Sequence, residues 1–241
     1  MKTFNVKNYN DVMQKILEIS EIKFRELNDQ QPSWYPKTNS FPTKEEEIRI
    51  YVTKKIFRTI PPIFTEAQLT NKKIIENVIG KELKKGLFIY GACGVGKTRE
   101  LYGLYKILRA HSYLFALEAG DEKIPVLLTT VPEFISELKV EISRANSEDG
   151  GNAEQSINDK IKTENILLLD DLGAEKQTDW VLEILYRLIN YRYEQMLPTF
   201  FSSNYSLQEL SEKIGDRVVS RIVEMCDIVK IEGEDRRLLR K

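Results

Sequence analysis

Gly91-Ala92-Cys93-Gly94-Val95-Gly96-Lys97-Thr98 is the part of this sequence with the most chemistry in it. It satisfies G-x-x-x-x-G-K-[ST] at every fixed position, a pattern that cradles phosphates. Glycines let the backbone approach an anion with no Cβ in the way. Successive N–H groups and the start of a helix then face that anion. Lys97 supplies a cation to the β- and γ-phosphates of a nucleotide, and the Thr98 hydroxyl suits Mg²⁺. With no nucleotide bound, Lys97 is expected to face solvent. Cys93 falls at a free position and is read as incidental, though open to alkylation. A chance glycine turn is the competing reading. The apolar run before this stretch and the helical run after it favour the phosphate loop.

A second constellation lies downstream. Ile166-Leu167-Leu168-Leu169-Asp170-Asp171 is an apolar run that delivers two carboxylates. In open α/β sheets, ligands bind outside the C-terminal ends of the strands. Asp170 is expected to hold Mg²⁺, directly or through water. The competing reading is that the two aspartates only cap the next loop.

These residues need rigid elements beneath them. Leu87-Phe88-Ile89-Tyr90 is continuously apolar, as suits a strand buried on both faces of a parallel sheet. Val126-Leu127-Leu128, Ile166–Leu169 and Thr199-Phe200-Phe201 are similar, and Ile228-Val229-Lys230-Ile231 reads as a fifth strand. Helical patterns are expected over 72–79, 97–111, 132–145, 178–195 and 206–225, the last with a break near Gly215. Alternating strands and helices predict an α/β sandwich with a five-stranded, mostly parallel sheet. Ser147-Glu148-Asp149-Gly150-Gly151-Asn152 reads as its most loop-like stretch. Ahead of it, Asn10–Leu27 has a helical period. A second helix is expected from Lys44 to Arg58, stopping at Ile60-Pro61-Pro62 because proline disfavours helix before it. The expected organisation is a small helical region over 1–60 and an ATPase domain over 61–241.

Composition narrows the class. The chain of 241 residues is 41% hydrophobic and 30% charged, an ordinary globular balance. No apolar run reaches the roughly 18–20 residues that span a bilayer. The N-terminus lacks the apolar core of a signal peptide, so a cytoplasmic location is expected. Cys93, Cys226 and His111 are too few for a disulfide framework or a structural zinc site. Residues 1–60 carry 11 basic and 8 acidic side chains, giving +3, and the remainder 25 and 29, giving −4, which sum to the net charge of −1. A nucleic-acid contact must therefore come from a local patch.

From Lys85 onward the chain resembles the DnaC/IstB-like AAA+ family of bacterial and phage helicase loaders and transposition-helper ATPases. The resemblance rests on the phosphate loop and on Leu168-Leu169-Asp170-Asp171-Leu172-Gly173-Ala174-Glu175. It rests also on Leu185-Tyr186-Arg187-Leu188-Ile189-Asn190-Tyr191-Arg192-Tyr193-Glu194, on Ser202-Ser203-Asn204-Tyr205-Ser206-Leu207-Gln208-Glu209-Leu210 and on Gly215-Asp216-Arg217-Val218-Val219-Ser220-Arg221-Ile222. It implies an AAA+ P-loop core that binds ATP with Mg²⁺. Asp171 stands where many members carry the glutamate that polarises the attacking water, and is one methylene shorter. Asn204 looks like the polar sensor that orients that water. Arg221 resembles the arginine finger that reaches a neighbouring subunit's nucleotide. Arg217 either supports it or pairs with Asp216. Arg237 matches an arginine near the C-terminus that contacts nucleotide. No separate helical lid is expected, so a neighbouring protomer is expected to complete the site.

The function this implies is ATP-dependent loading of a replicative helicase, with residues 1–60 binding the helicase and the core binding single-stranded DNA. Phe134, Lys139 and Arg144 lie in a segment that carries a DNA-touching helix in the family. Phe134 is either a base-stacking platform or a core residue sharing a face with Val131, Ile135 and Leu138. The alternative within the family is a helper that oligomerises on duplex DNA and recruits a transposase. Outside it stand a small-molecule kinase, disfavoured for want of an arginine-rich lid, and a module that binds ATP without hydrolysing it.

Overall fold

The computed structural model describes residues 56–78, 83, 85–119, 124–147, 152–162, 165–236 and 238. The helix expected over Asn10–Leu27, most of that over Lys44–Arg58, and Arg237 lie outside the described residues. Ile56 and Phe57 are helical and the chain turns at Arg58 and Thr59, in line with the stop expected at the prolines.

Strands β1 (Gly86–Tyr90), β2 (Val126–Thr130), β3 (Ile166–Asp170), β4 (Thr199–Ser203) and β5 (Cys226–Lys230) form one sheet. Their order is β2-β3-β4-β1-β5, and every neighbouring pair is parallel. Helices α1 (Lys72–Val78), α2 (Lys97–Ala119), α3 (Val131–Ser147), α4 (Ala153–Lys162), α5 (Asp179–Glu194), α6 (Leu207–Ile214) and α7 (Asp216–Met225) flank it. Strand side chains alternate between two faces. Leu87, Ile89, Leu168 and Phe200 pack with Leu101, Leu104 and Leu108 of α2 and with Ile56 and Ile74. Phe88, Leu167, Leu169 and Phe201 pack with α3 to α7 on the other face. The central strands are buried on both sides, which is why they read as continuous apolar runs.

Two boundaries and one helix depart from expectation. Helix α2 runs on to Ala119 rather than 111. β5 begins at Cys226, two residues early, because α7 ends at Met225 and Cys226 enters extended backbone directly. The helix α4 was not anticipated. Only Ile157 and Ile161 of its ten residues are buried, and the Asn152 side chain caps its start by accepting from the backbone N–H of Glu154 and Gln155. Gly215, at φ 91, sits at the break expected between α6 and α7.

Phe134 is 1% exposed and packs in the core with Val131, Ile135 and Leu138, so of the two readings the core one holds and base stacking does not.

Helix α2 also carries buried charge. Glu100 accepts from the Thr70 N–H at 2.9 Å, the Thr70 hydroxyl at 2.5 Å and the Asn71 N–H at 3.1 Å. One side-chain row further along, the Lys106 ammonium donates to the Thr65 carbonyl at 2.9 Å. Together they pin the segment that precedes α1. Burial, reinforced by the Arg99 charge, lowers the Lys106 ammonium from 10.5 to about 8. Between those values the folded chain releases a proton that the unfolded chain keeps, so stability rises with pH across that window. A urea-denaturation series from pH 7.5 to 10.5 should show this rise, and Lys106→Met should lack that component.

Candidate nucleotide-binding site

Because β4 is inserted between β1 and β3, three loops meet at one edge of the sheet. The phosphate loop leaves β1, Asp170 and Asp171 end β3, and Asn204 follows β4. The β1–β4 and β3–β4 registers bring Tyr90 opposite Ser203 and Leu169 opposite Phe201.

Lys97 is the centre of this junction. Its ammonium donates to the carbonyls of Gly91 at 2.9 Å and Ala92 at 2.8 Å, and to Asn204 Oδ1 at 2.6 Å. It is 5% exposed, so the expectation that it faces solvent is wrong. An ammonium taken out of water needs oxygen partners, and the curl of the loop supplies two of them. Asn204 lies 107 residues away in sequence and supplies the third.

Asp170 is 3% exposed. Its Oδ1 accepts from the Ser202 hydroxyl and, at 3.3 Å, from the Thr98 hydroxyl. Burial raises the carboxyl above its ordinary range, and the Asp171 charge adds to this, while the hydroxyl bonds pull it back. A buried carboxylate beside a threonine hydroxyl is a set of hard oxygen donors that suits Mg²⁺. The residues present fit that ion. Asp171 has φ 57, in the left-handed region, where a non-glycine residue is uncommon and strain concentrates at functional positions. Its N–H donates to Ser202 Oγ at 3.2 Å, and the Leu172 N–H to the Ser202 carbonyl at 2.8 Å. Ser203 Oγ donates to the Leu172 carbonyl at 2.7 Å. The two serines that end β4 therefore hold the turn that follows β3.

A cavity of about 700 Å³ opens at this edge, lined by Gly94, Gly96, Lys97, Thr98, Asp171 and Asn204 together with Cys93, Arg99, Ile63, Phe64 and Arg236. Gly96, at φ 106, has the Arg236 guanidinium where a Cβ would point. The chain beyond β5 returns across the loop, with the Arg236 N–H donating to the Gly94 carbonyl at 3.1 Å. Arg236 thus joins Arg99 as a described arginine at the cavity. The other new wall is Ile63 and Phe64. They sit on a short 3-10 turn over Pro62–Phe64, and Phe64 stacks on Tyr102 with ring centroids 4.3 Å apart. The proline pair signalled the turn, but nothing local tied it to the phosphate loop.

Gly91, Ala92 and Val95 belong to the same loop, Gly91 and Val95 buried beneath it and Ala92 exposed. Arg221 does not line the cavity. It lies on α7 against α5, where its guanidinium meets Asn190 and Tyr186. Arg217 supports it only through its backbone carbonyl, and Asp216 accepts from Ser211 rather than pairing with Arg217.

Residues 64–241 match the model of the IstB-like ATP binding protein family. The chain belongs to that family. It is 35% identical to the replicative helicase loader DnaI of Bacillus subtilis (strain 168) over 166 residues, 64% of this chain and 48% of that protein. It is 29% identical to the phage-like element PBSX protein XkdC of the same strain over 157 residues, 62% of this chain and 52% of that protein. The matches thus span about half the length of these relatives. A solved replication initiator DnaA bound to AMPPCP and single-stranded DNA superposes with a TM-score of 0.51 at 22% identity, over 73% of this chain and 52% of that one. That likeness is one of fold, and this IstB-like chain has the AAA+ P-loop architecture.

Ser202 offers a direct test of the site. Ser202→Ala leaves the Asp171 N–H without its acceptor and removes one of the two hydroxyl donors to Asp170. Unfolding free energy should fall by about 1–3 kcal/mol. Nucleotide affinity measured against Mg²⁺ concentration should show a weaker Mg²⁺ dependence, with Mg²⁺-free affinity little changed.

Proposed function

We propose that this chain is an ATPase of the replication machinery that acts in the manner of a helicase loader. The observation that carries the reading is the convergence of Lys97, Thr98, Asp171 and Asn204 on one cavity with Asp170 buried beside it. Identity to a replicative helicase loader supports the replication role.

On this reading the backbone N–H groups of 94–98 receive the β-phosphate at the start of α2. Lys97 exchanges part of its carbonyl contacts for phosphate oxygens. Mg²⁺ would be held by Thr98 and Asp170, directly or through water, and would supply charge that neutralises the nucleotide's phosphates. Asp171 accepts the proton of the attacking water, and Asn204 orients that water. Asn204 already touches Lys97, so γ-phosphate arrival and water positioning report to the same pair. Arg236 contacts the phosphates from the segment after β5. Arg221, away from its own cavity, serves the nucleotide of a second copy, which makes the active form a homo-oligomer. Residues 1–60 form the partner-binding region for the helicase. The family's other known setting, a helper for a transposase, shares every element of this site, and capture of a hexameric helicase rather than a transposase from a lysate separates the two.

Single-stranded DNA is assigned to the outer face of α3. Ser136, Lys139, Val140, Ser143, Arg144 and Ser147 line a shallow groove there. Lys139 and Arg144 are exposed, with Lys139 5.5 Å from the centre of the Trp180 ring.

Two measurements test this. Lys97→Ala should abolish binding of a fluorescent ATP analogue. It should also lower the unfolding free energy by about 1–3 kcal/mol, since two carbonyls and an amide oxygen lose their donor. Asp171→Asn should bind the analogue normally and turn ATP over poorly; native turnover in that variant would assign the base to another group.

The DNA assignment is tested by the double reversal Lys139→Glu and Arg144→Glu. It should weaken single-stranded DNA binding and flatten the log–log salt slope by about 1.4, two phosphates' worth. An unchanged slope removes α3 from the interface.

A further inference from the structure

Helix α5 presents three side chains to Arg221. Tyr186, Asn190 and Tyr193 recur at i, i+4 and i+7 and so share one face of that helix. Arg221 Nε donates to Asn190 Oδ1 at 2.6 Å. Its Nη2 donates to the Tyr186 hydroxyl at 3.3 Å, and its Nη1 to the Arg217 carbonyl at 2.9 Å. The guanidinium carbon lies 5.0 Å from the Tyr186 ring centre and 5.9 Å from that of Tyr193.

The seat is unusual in what it omits. Every partner of the guanidinium is a neutral oxygen or an aromatic face, and among the described residues no carboxylate forms an ion pair with it. Glu224, three residues on in the same helix, accepts from the Tyr193 hydroxyl at 2.5 Å. A guanidinium has five N–H groups. Three are used here, which leaves one on each terminal nitrogen of a half-exposed side chain. A remaining donor on each terminal nitrogen, with no paired carboxylate to offset the charge, suits capture of an anionic oxygen pair.

We infer that Tyr186, Asn190 and Tyr193 are positioning residues that hold Arg221 charged and aimed for the nucleotide phosphates of a second copy of this chain. The inference rests on the reading of Arg221 as the residue supplied in trans. A side chain with one fixed orientation loses little conformational freedom when the neighbour docks. A salt-bridged arginine would first have to break its pair. The seat therefore acts on turnover in the assembled state and not on ATP binding within one subunit.

The experiment uses the full chain at concentrations spanning assembly. Asn190→Ala removes the Nε acceptor, Tyr186→Leu removes ring and hydroxyl, and Tyr186→Phe keeps the ring. Each should bind ATP with native affinity and melt close to the parent. Turnover per subunit at high concentration should fall about tenfold in Asn190→Ala and Tyr186→Leu and less in Tyr186→Phe, with Arg221→Ala falling further, by about 10³. Asn190→Ala added to Arg221→Ala should cost nothing more, because both act through one group. Mixing Asn190→Ala with Lys97→Ala should restore turnover, since the second subunit brings an intact seat. If Arg221→Ala loses turnover while Asn190→Ala and Tyr186→Leu keep it, the seat is overturned and the trans arginine stands. If Arg221→Ala itself turns over normally, the reading beneath the inference fails with it. Additive losses in the double variant would make α5 a plain structural brace and overturn the proposal.

Discussion

The Lys97 ammonium is the constraint on which this site depends. It is shut away from water and must therefore be met by oxygen. Two of its acceptors, the Gly91 and Ala92 carbonyls, come from the loop that contains it, so the lysine fixes the curl of its own loop. The third, Asn204, stands at the end of β4. That contact is possible only because β4 lies beside β1 in the sheet, which follows from the order β2-β3-β4-β1-β5. The same placement puts the far side of β4 against β3, where Ser202 and Ser203 hold the turn that carries Asp170 and Asp171. One strand thus ties the phosphate cation to the carboxylates.

Helix α2 extends this logic away from the cavity. Its first residues, Lys97 and Thr98, face the cavity. Glu100 and Lys106, further along, face the segment 62–71 and fasten it through the Thr70 and Asn71 N–H groups and the Thr65 carbonyl. Gly103, between them, leaves room for the backbone of Gln68 and Leu69 to lie against the helix. That segment bears Ile63 and Phe64 at the cavity wall. It is also the covalent path from residues 1–55 to the sheet. A displacement of α2 on nucleotide binding would be passed to that path by two buried charged contacts, which tolerate little slippage because breaking one leaves a charge without its partner.

Much of this was legible and the remainder was not, for reasons that lie in range. The phosphate loop, the aspartate pair and the buried strands are short-range patterns, and each can be read within about ten residues. The side of the sheet on which Phe134 falls was open in sequence, since an aromatic on an apolar helical face satisfies core and platform alike; packing against Leu167, Leu169 and Phe201 decides it. Helix α4 escaped because Ala153–Lys162 carries two buried apolar residues among polar ones and sits directly after a glycine pair. The burial of Lys97 and the work of Ser202 depend on contacts 107 and 32 residues apart, which no local pattern encodes. That Arg236 meets the cavity follows from the path of the chain over Gly94, which no local pattern encodes.

On the proposed reading a single chain is incomplete, and the distribution of charge over the molecule bears on why. Among the described residues the cations at the cavity are Lys97, Arg99 and Arg236, and each belongs to the loop, to α2 or to the segment after β5. Lys97 is committed to internal oxygens, so its approach to phosphate is limited by what the loop releases. Arg221 is the opposite case, an arginine with fixed geometry, neutral partners and no phosphate of its own. Phosphoryl transfer spreads charge over the equatorial oxygens of the transition state, and a cation arriving there late is worth more than one already spent on the ground state. On the proposed reading, the fold divides these tasks between subunits. The resident cation organises the loop in each chain, and the seated arginine completes a different chain's site only on assembly. Such a division makes turnover a reporter of assembly, because the group with the most to add in the transition state is the one no isolated subunit can bring to its own nucleotide.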